Sequence, residues 1–189
     1  GNAASLRWHS YEGAAFDRVD HTSTVTVDDG ALQLTGVYAK SFTLGADRFG
    51  PLTLPTSPDV AIREVKPYLG VPTSDTTGDG CELAYPPLKS RTMTWGDLTL
   101  YGEFEDLQYR QITSWSLKGT NTPMALGLPY DVKIGTSLTD LKRDVPEYTV
   151  DDTRVYSDGL IINQGDLSWW LDASDTRVVK IMAHAPYCE

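Results

Sequence analysis

The sequence contains few histidines and no long apolar run. No stretch of about 18 apolar residues is present, so we expect no transmembrane helix. The three histidines, His9, His21 and His184, lie far apart and lack the spacing of metal ligands or of a catalytic triad. The sequence signatures of zinc proteases, α/β-hydrolases, P-loop proteins and dinucleotide-binding proteins are also missing. We therefore expect no metal, no cofactor and no catalytic residue, and we expect that the protein is not an enzyme.

Basic residues are scarce as well. The chain has 16 Lys and Arg against 26 Asp and Glu, which gives a net charge of -10. A negative field of this size repels phosphate backbones, so nucleic acid is not an expected partner. The apolar share is 40%, with 5 Trp, 10 Tyr and 4 Phe, and this is enough for a packed core.

Cysteine is limited to Cys81 and Cys188, which do not form a Cys-x-x-Cys pair. They are either one disulfide of an exported protein or two buried thiols of a cytosolic protein. We favour the disulfide, because turn-rich chains with an even number of cysteines are typical of oxidising compartments. We therefore expect an extracytoplasmic location, secreted or anchored to the cell envelope, with any signal or lipid anchor upstream of residue 2.

The most informative feature that is present is an internal repeat. Residues 95–106 and 164–175 both contain Gly-Asp-Leu, a small hydroxyl residue, two large apolar residues and then acids. Each copy follows a predicted helix start, at Ser57 and at Ser137, where the serine can cap the first turn. The pattern predicts an α+β fold of two tandem units, each with a short helix packed on an antiparallel β-sheet.

The predicted units comprise residues 49–118 and 127–189, with a linker between them. Residues 1–48 precede them as a loosely held arm, through residue 21, and a β-hairpin. The hairpin has strands at 22–27 and 31–38 around an Asp-Asp-Gly turn.

The first predicted helix buries Ala61, Val65 and Leu69, which recur every four residues. Pro67 lies inside this pattern, so we expect the helix to end or kink there. The second predicted helix stops before Pro146.

Aromatic residues supply the candidate binding surface. Strand alternation places Trp95 and Tyr101 on one face of the sheet, and it places Trp170 opposite Trp169. We predict that Trp95, Tyr101, Trp115 and Trp170 form a surface for a glycan, a peptide or a partner protein. The alternative is that these aromatic residues pack between the two units.

Two acidic segments have an ordinary and a functional interpretation. Glu103, Glu105 and Asp106 could supply a carboxylate pair for glycoside hydrolysis, or they could form a solvated strand end. Residues 75–82 combine acids and glycines as a small calcium loop does, but their spacing departs from the EF-hand. We favour an ordinary turn for this second segment.

Four short strand and turn motifs also carry a resemblance. They are Pro55-Thr56-Ser57, Leu69-Gly70-Val71-Pro72, Trp95-Gly96-Asp97-Leu98 and Gly135-Thr136-Ser137. With them, residues from about 49 to 189 resemble a group of exported, often lipid-anchored proteins of actinomycete-type bacteria. More distantly, the chain is similar to the tandem helix-on-sheet repeats of β-lactamase-inhibitory protein and of small outer-membrane-assembly lipoproteins. The resemblance implies the fold and export. The second copy departs from it, with Glu147-Tyr148-Thr149-Val150 in place of Leu-Gly-x-Pro and no cysteine pair of its own, and no inhibitory residue matches.

These features together predict a non-catalytic extracytoplasmic binding module for an unknown protein or glycan partner. Two alternatives stay open. One is a cell-wall-directed hydrolase that uses the strand-end carboxylates. The other is a structural domain of a larger envelope protein.

Overall fold

The chain folds as two compact units, Gly1–Ser41 and Phe42–Glu189. The computed structural model describes residues 3–12, 17–28, 31–35, 41–80, 88–104, 110–154 and 157–184. No helix among these residues is long and apolar enough to cross a membrane.

The first unit is a three-stranded antiparallel sheet. Its strands β1 (Ala3–Glu12), β2 (Asp17–Asp28) and β3 (Ala31–Thr35) follow one another in space as they do in sequence. The predicted hairpin is confirmed, because β2 and β3 pair from Asp28 and Ala31 onward. The predicted loose arm is wrong, since β1 pairs with β2 along its whole length. Ala4, Leu6 and Trp8 alternate with polar residues in this strand, and this signal of extended structure was overlooked.

The second unit begins with short strands and continues with a helix and a four-stranded meander. The first elements are β4 (Phe42–Thr43), β5 (Arg48–Phe49), β6 (Leu52–Thr53) and α1 (Pro58–Leu69). The meander consists of β7 (Ser74–Asp79), β8 (Lys89–Trp95), β9 (Leu98–Phe104) and β10 (Ser114–Leu117).

A similar order of elements then follows. It starts with β11 (Leu126–Gly127), a 3₁₀ turn (Pro129–Asp131) and α2 (Leu138–Asp144). The strands after it are β12 (Thr149–Asp151), β13 (Ile161–Gln164), β14 (Leu167–Leu171) and β15 (Val178–Ala183).

Helix α1 begins where the sequence predicts. The Ser57 side chain accepts the N–H of Val60 at 3.4 Å, Pro58 occupies the first turn, and the predicted apolar face is buried. Of the two outcomes expected at Pro67, an end of the helix is wrong, because the helix continues to Leu69. A proline so close to the end removes only one backbone hydrogen bond, and the N–H of Gly70 closes the last turn on the Lys66 carbonyl at 3.0 Å.

Helix α2 is capped by Ser137, whose hydroxyl accepts the N–H of Asp140 at 3.1 Å. The same hydroxyl donates to the Asp140 carboxylate at 2.7 Å. In a standard capping box the acid accepts the backbone N–H of the cap residue, whereas the shorter Asp140 side chain bonds the side chain of Ser137. This hydrogen bond, followed by the charge of Arg143, lowers the pKa of Asp140.

The large sheet is antiparallel throughout and has the strand order β12-β13-β14-β15-β10-β9-β8-β7. Its two meanders meet at β10 and β15, where Ser116 lies opposite Met182. With two α-helices in the described residues beside this sheet, the α+β class is confirmed.

The core lies on one face of this sheet. A single hydrophobic cluster joins Val65 of α1 and Leu141 of α2 to the buried side chains of the strands. The largest of them are Trp95, Trp115 and Trp169, each at most 1% exposed. Burial of apolar area on this scale is the main stabilising term of such a domain.

Candidate functional site

The strands of the large sheet present a second face, opposite the core. In β9 the buried residues Leu98, Leu100 and Phe104 alternate with half-buried Thr99, Tyr101 and Glu103. Because residues directly opposite each other in antiparallel strands point to the same face, the pairing registers assign the residues of every strand in the sheet to one face or the other. We call the face that carries Thr99 and Tyr101 the second face.

A row of small polar side chains runs across the second face through all eight strands. We call it the polar row, and Met182 is its one apolar member. From one edge to the other it consists of Ser74, Thr94, Thr99, Ser116, Met182, Ser168, Asn163 and Thr149.

Accessibility along the polar row increases toward its ends. Ser74 and Thr149 are exposed, and the four residues Thr94, Thr99, Ser116 and Asn163 are half-buried. Ser168 and Met182, near the middle, are 5% and 3% exposed. A ligand of the row therefore meets the half-buried hydroxyl and amide groups first.

Two aromatic residues flank the polar row on opposite sides. Tyr101 follows Thr99 by two residues on β9, and Trp170 follows Ser168 by two residues on β14. The two strands run in opposite directions, so strand spacing and rise separate the rings by about 20 Å. Both predicted surface residues therefore lie on one face, one in each meander.

Both rings are held in place by polar contacts. The Tyr101 hydroxyl donates to the Glu103 carboxylate at 2.7 Å. The Trp170 indole N–H donates to the Ser168 hydroxyl at 3.2 Å, and the Lys180 ammonium lies 3.8 Å from the centroid of the Trp170 ring. Such a cation–π contact fixes the ring orientation and contributes about 0.5 to 1 kcal/mol at an exposed site.

The other two predicted surface residues, Trp95 and Trp115, are in the core, so this part of the prediction is wrong. Trp95 and Trp115 are each 1% exposed, and their indole N–H groups donate to the carbonyls of Gly70 and Gly45 at 3.1 and 2.8 Å. Trp95 precedes a two-residue turn and pairs with Leu98, and paired residues share a face. Sequence alternation counted straight through that turn and assigned Trp95 to the wrong side.

The Gly-Asp turns are built alike. Gly96 and Gly165 occupy the first central position with φ of 64° and 57°, a geometry that favours glycine in two-residue hairpins. The carbonyl of Asp97 accepts the N–H of Lys118 at 3.1 Å, and the carbonyl of Asp166 accepts the N–H of His184 at 2.8 Å. In both meanders, the turn is thus tied to the residue that follows the last strand.

The candidate carboxylates do not assemble into a described catalytic pair. Glu103 lies on the second face, whereas Glu105 and Asp106 are outside the described residues. Asp172 and Asp175 organise a turn: the Asp172 carboxylate accepts the N–H of Thr176 at 2.8 Å, and that of Asp175 accepts the N–H of Leu160 at 2.7 Å. The first of these bonds is the main cause of the lowered pKa of Asp172.

The glycine-rich acidic segment is a strand, so neither the calcium-loop nor the turn interpretation holds for residues 75–79. They belong to β7, which pairs with β8 in a regular register. Among the described residues, no group of three or more His, Cys, Asp or Glu is placed to hold a metal ion. The only signal of a strand in the sequence was the Thr76-Thr77 pair, which favours extended backbone.

The predicted disulfide, Cys81–Cys188, lies outside the described residues and stays a prediction. Comparisons of the chain with protein-family models, curated proteins and solved structures found no match.

Proposed function

We propose that this protein is a non-catalytic extracytoplasmic binding module, built from two tandem units, whose ligand binds to the second face of the large sheet. The observation that carries the proposal is the polar row with Tyr101 and Trp170 on its two sides. Each meander contributes half of the row and one aromatic residue.

The tandem arrangement is supported by the strand registers. Trp95 pairs with Leu98 across the first Gly-Asp turn, and Gln164 pairs with Leu167 across the second. At the junction, Ser116 pairs with Met182, and each lies two residues before the residue that is tied to the Gly-Asp turn of its own meander, as expected for two meanders related by a two-fold axis. That axis passes through the Ser116–Met182 pair.

The helix starts support the same arrangement. Thr56 precedes the cap of α1 and exchanges backbone hydrogen bonds with Ile112, at 2.6 and 3.0 Å. Thr136 precedes the cap of α2, and its carbonyl accepts the N–H of Val178 at 2.9 Å. Each helix is therefore anchored to its meander close to the start of the last strand.

The chemistry of the second face suits recognition. Hydroxyl and amide side chains both donate and accept hydrogen bonds, and Tyr and Trp add flat apolar area with a polar tip. The described charges on this face are limited to Glu103, Asp151 and Lys180. A neutral glycan or a polar protein surface fits this combination better than a highly charged ligand.

Export is the second part of the proposal. Its support is the pair of cysteines and the resemblance of residues 49–189 to exported proteins. The cysteine pairing, tested by mass spectrometry without reductant, separates this part of the proposal from the binding part.

The experiment uses equivalent positions in the two meanders. Thr94→Arg and Asn163→Arg each place a long cation in the polar row, and Thr139→Arg adds the same charge on an exposed position of α2. The probes are a glycan array that includes peptidoglycan fragments and an array of purified secreted and envelope proteins. We expect at least one specific ligand, whose dissociation constant rises about tenfold or more in both row variants, since a misplaced charge on a desolvated contact costs more than about 1.4 kcal/mol.

The control variant is expected to bind as the unmodified protein does. A ligand that binds equally to both row variants, or no ligand on either array, contradicts the proposal. Hydrolysis of an array glycan that Glu103→Gln abolishes replaces the binding module by the hydrolase.

A further inference from the structure

Strand β7 is the last strand of the large sheet at one edge, and its whole length is accessible. It pairs only with β8 in the described residues, in an unbroken register from Ser74–Thr94 to Asp79–Lys89. All six of its residues are exposed. An edge strand of this kind carries backbone groups that have no partner strand.

The hydrogen-bond pattern identifies which backbone groups point outward. The two-residue turn makes Trp95–Leu98 a hydrogen-bonded pair, so residues 94, 92 and 90 of β8 direct their backbone groups to β7. The N–H and C=O of Asp75 and Thr77 therefore point away from the sheet. This pattern ends at Asp79, whose carbonyl accepts the hydroxyl of Ser90 on β8 at 3.0 Å.

Strand β7 lacks most of the usual protections of an edge strand, and charged side chains are the exception. It contains no proline and no bulge, and it has no lysine of its own. Its two carboxylates are turned back onto β8, where Asp75 accepts two hydrogen bonds from Arg91 at 2.8 and 2.9 Å and Asp79 pairs with Lys89. The outward backbone groups of Asp75 and Thr77 are thus left open to another strand.

The side chains of β7 define what that strand would carry. On the core side, Asp75 and Asp79 keep 34% and 77% of their side chains exposed beside their cation partners. On the second-face side, Ser74, Thr76 and Gly78 are small and leave room for large neighbours. In a strand of alternating basic and large apolar residues, the basic residues complement the core side and the apolar ones the second-face side. The net charge of -10 also attracts a basic segment.

The symmetric pairing of two copies that is centred on Thr77 is unfavourable. If two β7 strands paired antiparallel around Thr77, Asp75 of one would lie opposite Asp79 of the other, and like charges directly opposite are destabilising. We propose that β7 is a docking edge for a partner protein, which adds an extended segment of alternating basic and large apolar residues as a ninth strand.

The test uses an array of end-blocked nine-residue peptides in which Lys or Arg alternates with Val, Ile, Tyr or Phe. The best binder is measured by fluorescence anisotropy against the full chain. It is compared with two N-methylated versions of the same peptide. One version, or phase, carries the methyl groups on the odd-numbered residues, and the other phase carries them on the even-numbered residues. Methylation leaves the charge unchanged and removes backbone donors, so one phase is expected to weaken binding about tenfold or more and the other to change it little.

The matched protein variants are Thr77→Pro and Thr77→Val. The proline removes an outward N–H that the β7–β8 ladder does not use, whereas valine keeps it. We expect binding to fall about tenfold with proline and to stay within twofold with valine. Equal effects of the two N-methylation phases, equal binding by the proline variant, or no binder on the array overturns the proposal.

Discussion

The close approach at Gly102 allows a sharp test of how the sheet is built. Gly102 lies on the core face of β9, and a Cβ atom placed there would be 2.0 Å from the Gln111 carbonyl oxygen and 2.9 Å from Cα of Ile112. Contacts of Cβ below 3.0 Å essentially do not occur, so the backbone at residues 111–112 would have to move by about 1 Å. That segment also bonds Thr56 at the start of α1, which limits how far it can shift.

We predict that Gly102→Ala destabilises the protein by about 2 to 3 kcal/mol, the cost of overpacking against backbone. Guanidinium unfolding followed by tryptophan fluorescence should show a lower midpoint with an unchanged slope. Thermal unfolding should shift by about 5 to 10 °C for a unit of this size.

Gly78→Ala is the matched control. It also lies in a strand, and its nearest neighbour to a new Cβ is the Ser90 hydroxyl oxygen at 3.8 Å, an ordinary contact. Its stability should change by no more than about 0.5 kcal/mol. If Gly102→Ala unfolds at the same denaturant concentration as Gly78→Ala, residues 111–112 do not pack on β9 and the described link between this strand and α1 is wrong.

Three further predictions concern stability. Mass spectrometry without reductant should find Cys81 linked to Cys188, and reduction should cost about 4 to 5 kcal/mol by the chain-entropy estimate; two free thiols contradict this. The pKa of Asp172 is lowered from its ordinary 3.8, so its contribution to stability is present above that pH and is lost as the pH falls below it. Unfolding measured from pH 5 downward should therefore show a shallower loss for Asp172→Asn, and an unchanged pH profile refutes the role. Glu147 has a φ of 51°, so Glu147→Gly should raise the unfolding free energy by about 1 kcal/mol whereas Glu147→Ala should not.

Local features of the fold could be predicted from the sequence. The cap residues Ser57 and Ser137 and the apolar face of α1 were predicted correctly, because capping and helical periodicity act within a few residues. The Gly-Asp turns could be predicted for the same reason, since glycine at a positive φ is specified by the turn itself.

Features that depend on distant partners could not be predicted. Strand β7 has neither an alternating pattern nor a high apolar content, and it is a strand because a neighbouring strand pairs with it. In β1, by contrast, Ala4, Leu6 and Trp8 alternate with polar residues, a strand signal that was overlooked. Trp95 was assigned to the wrong face because a two-residue turn restarts the alternation on the next strand. On the second face, Tyr101 and Trp170 could be singled out from the sequence as candidates, whereas the polar row required the registers of eight strands.

The account depends most on the pairing of β10 with β15, which joins the two meanders into one sheet and makes the polar row continuous. Nuclear Overhauser effects between backbone protons in an isotope-labelled sample measure this pairing directly. The account predicts cross-strand effects between Ser116 and Met182 and between Leu117 and Ile181. Effects that connect β10 to a strand other than β15, or that place either residue of these pairs opposite a different neighbour, would contradict it.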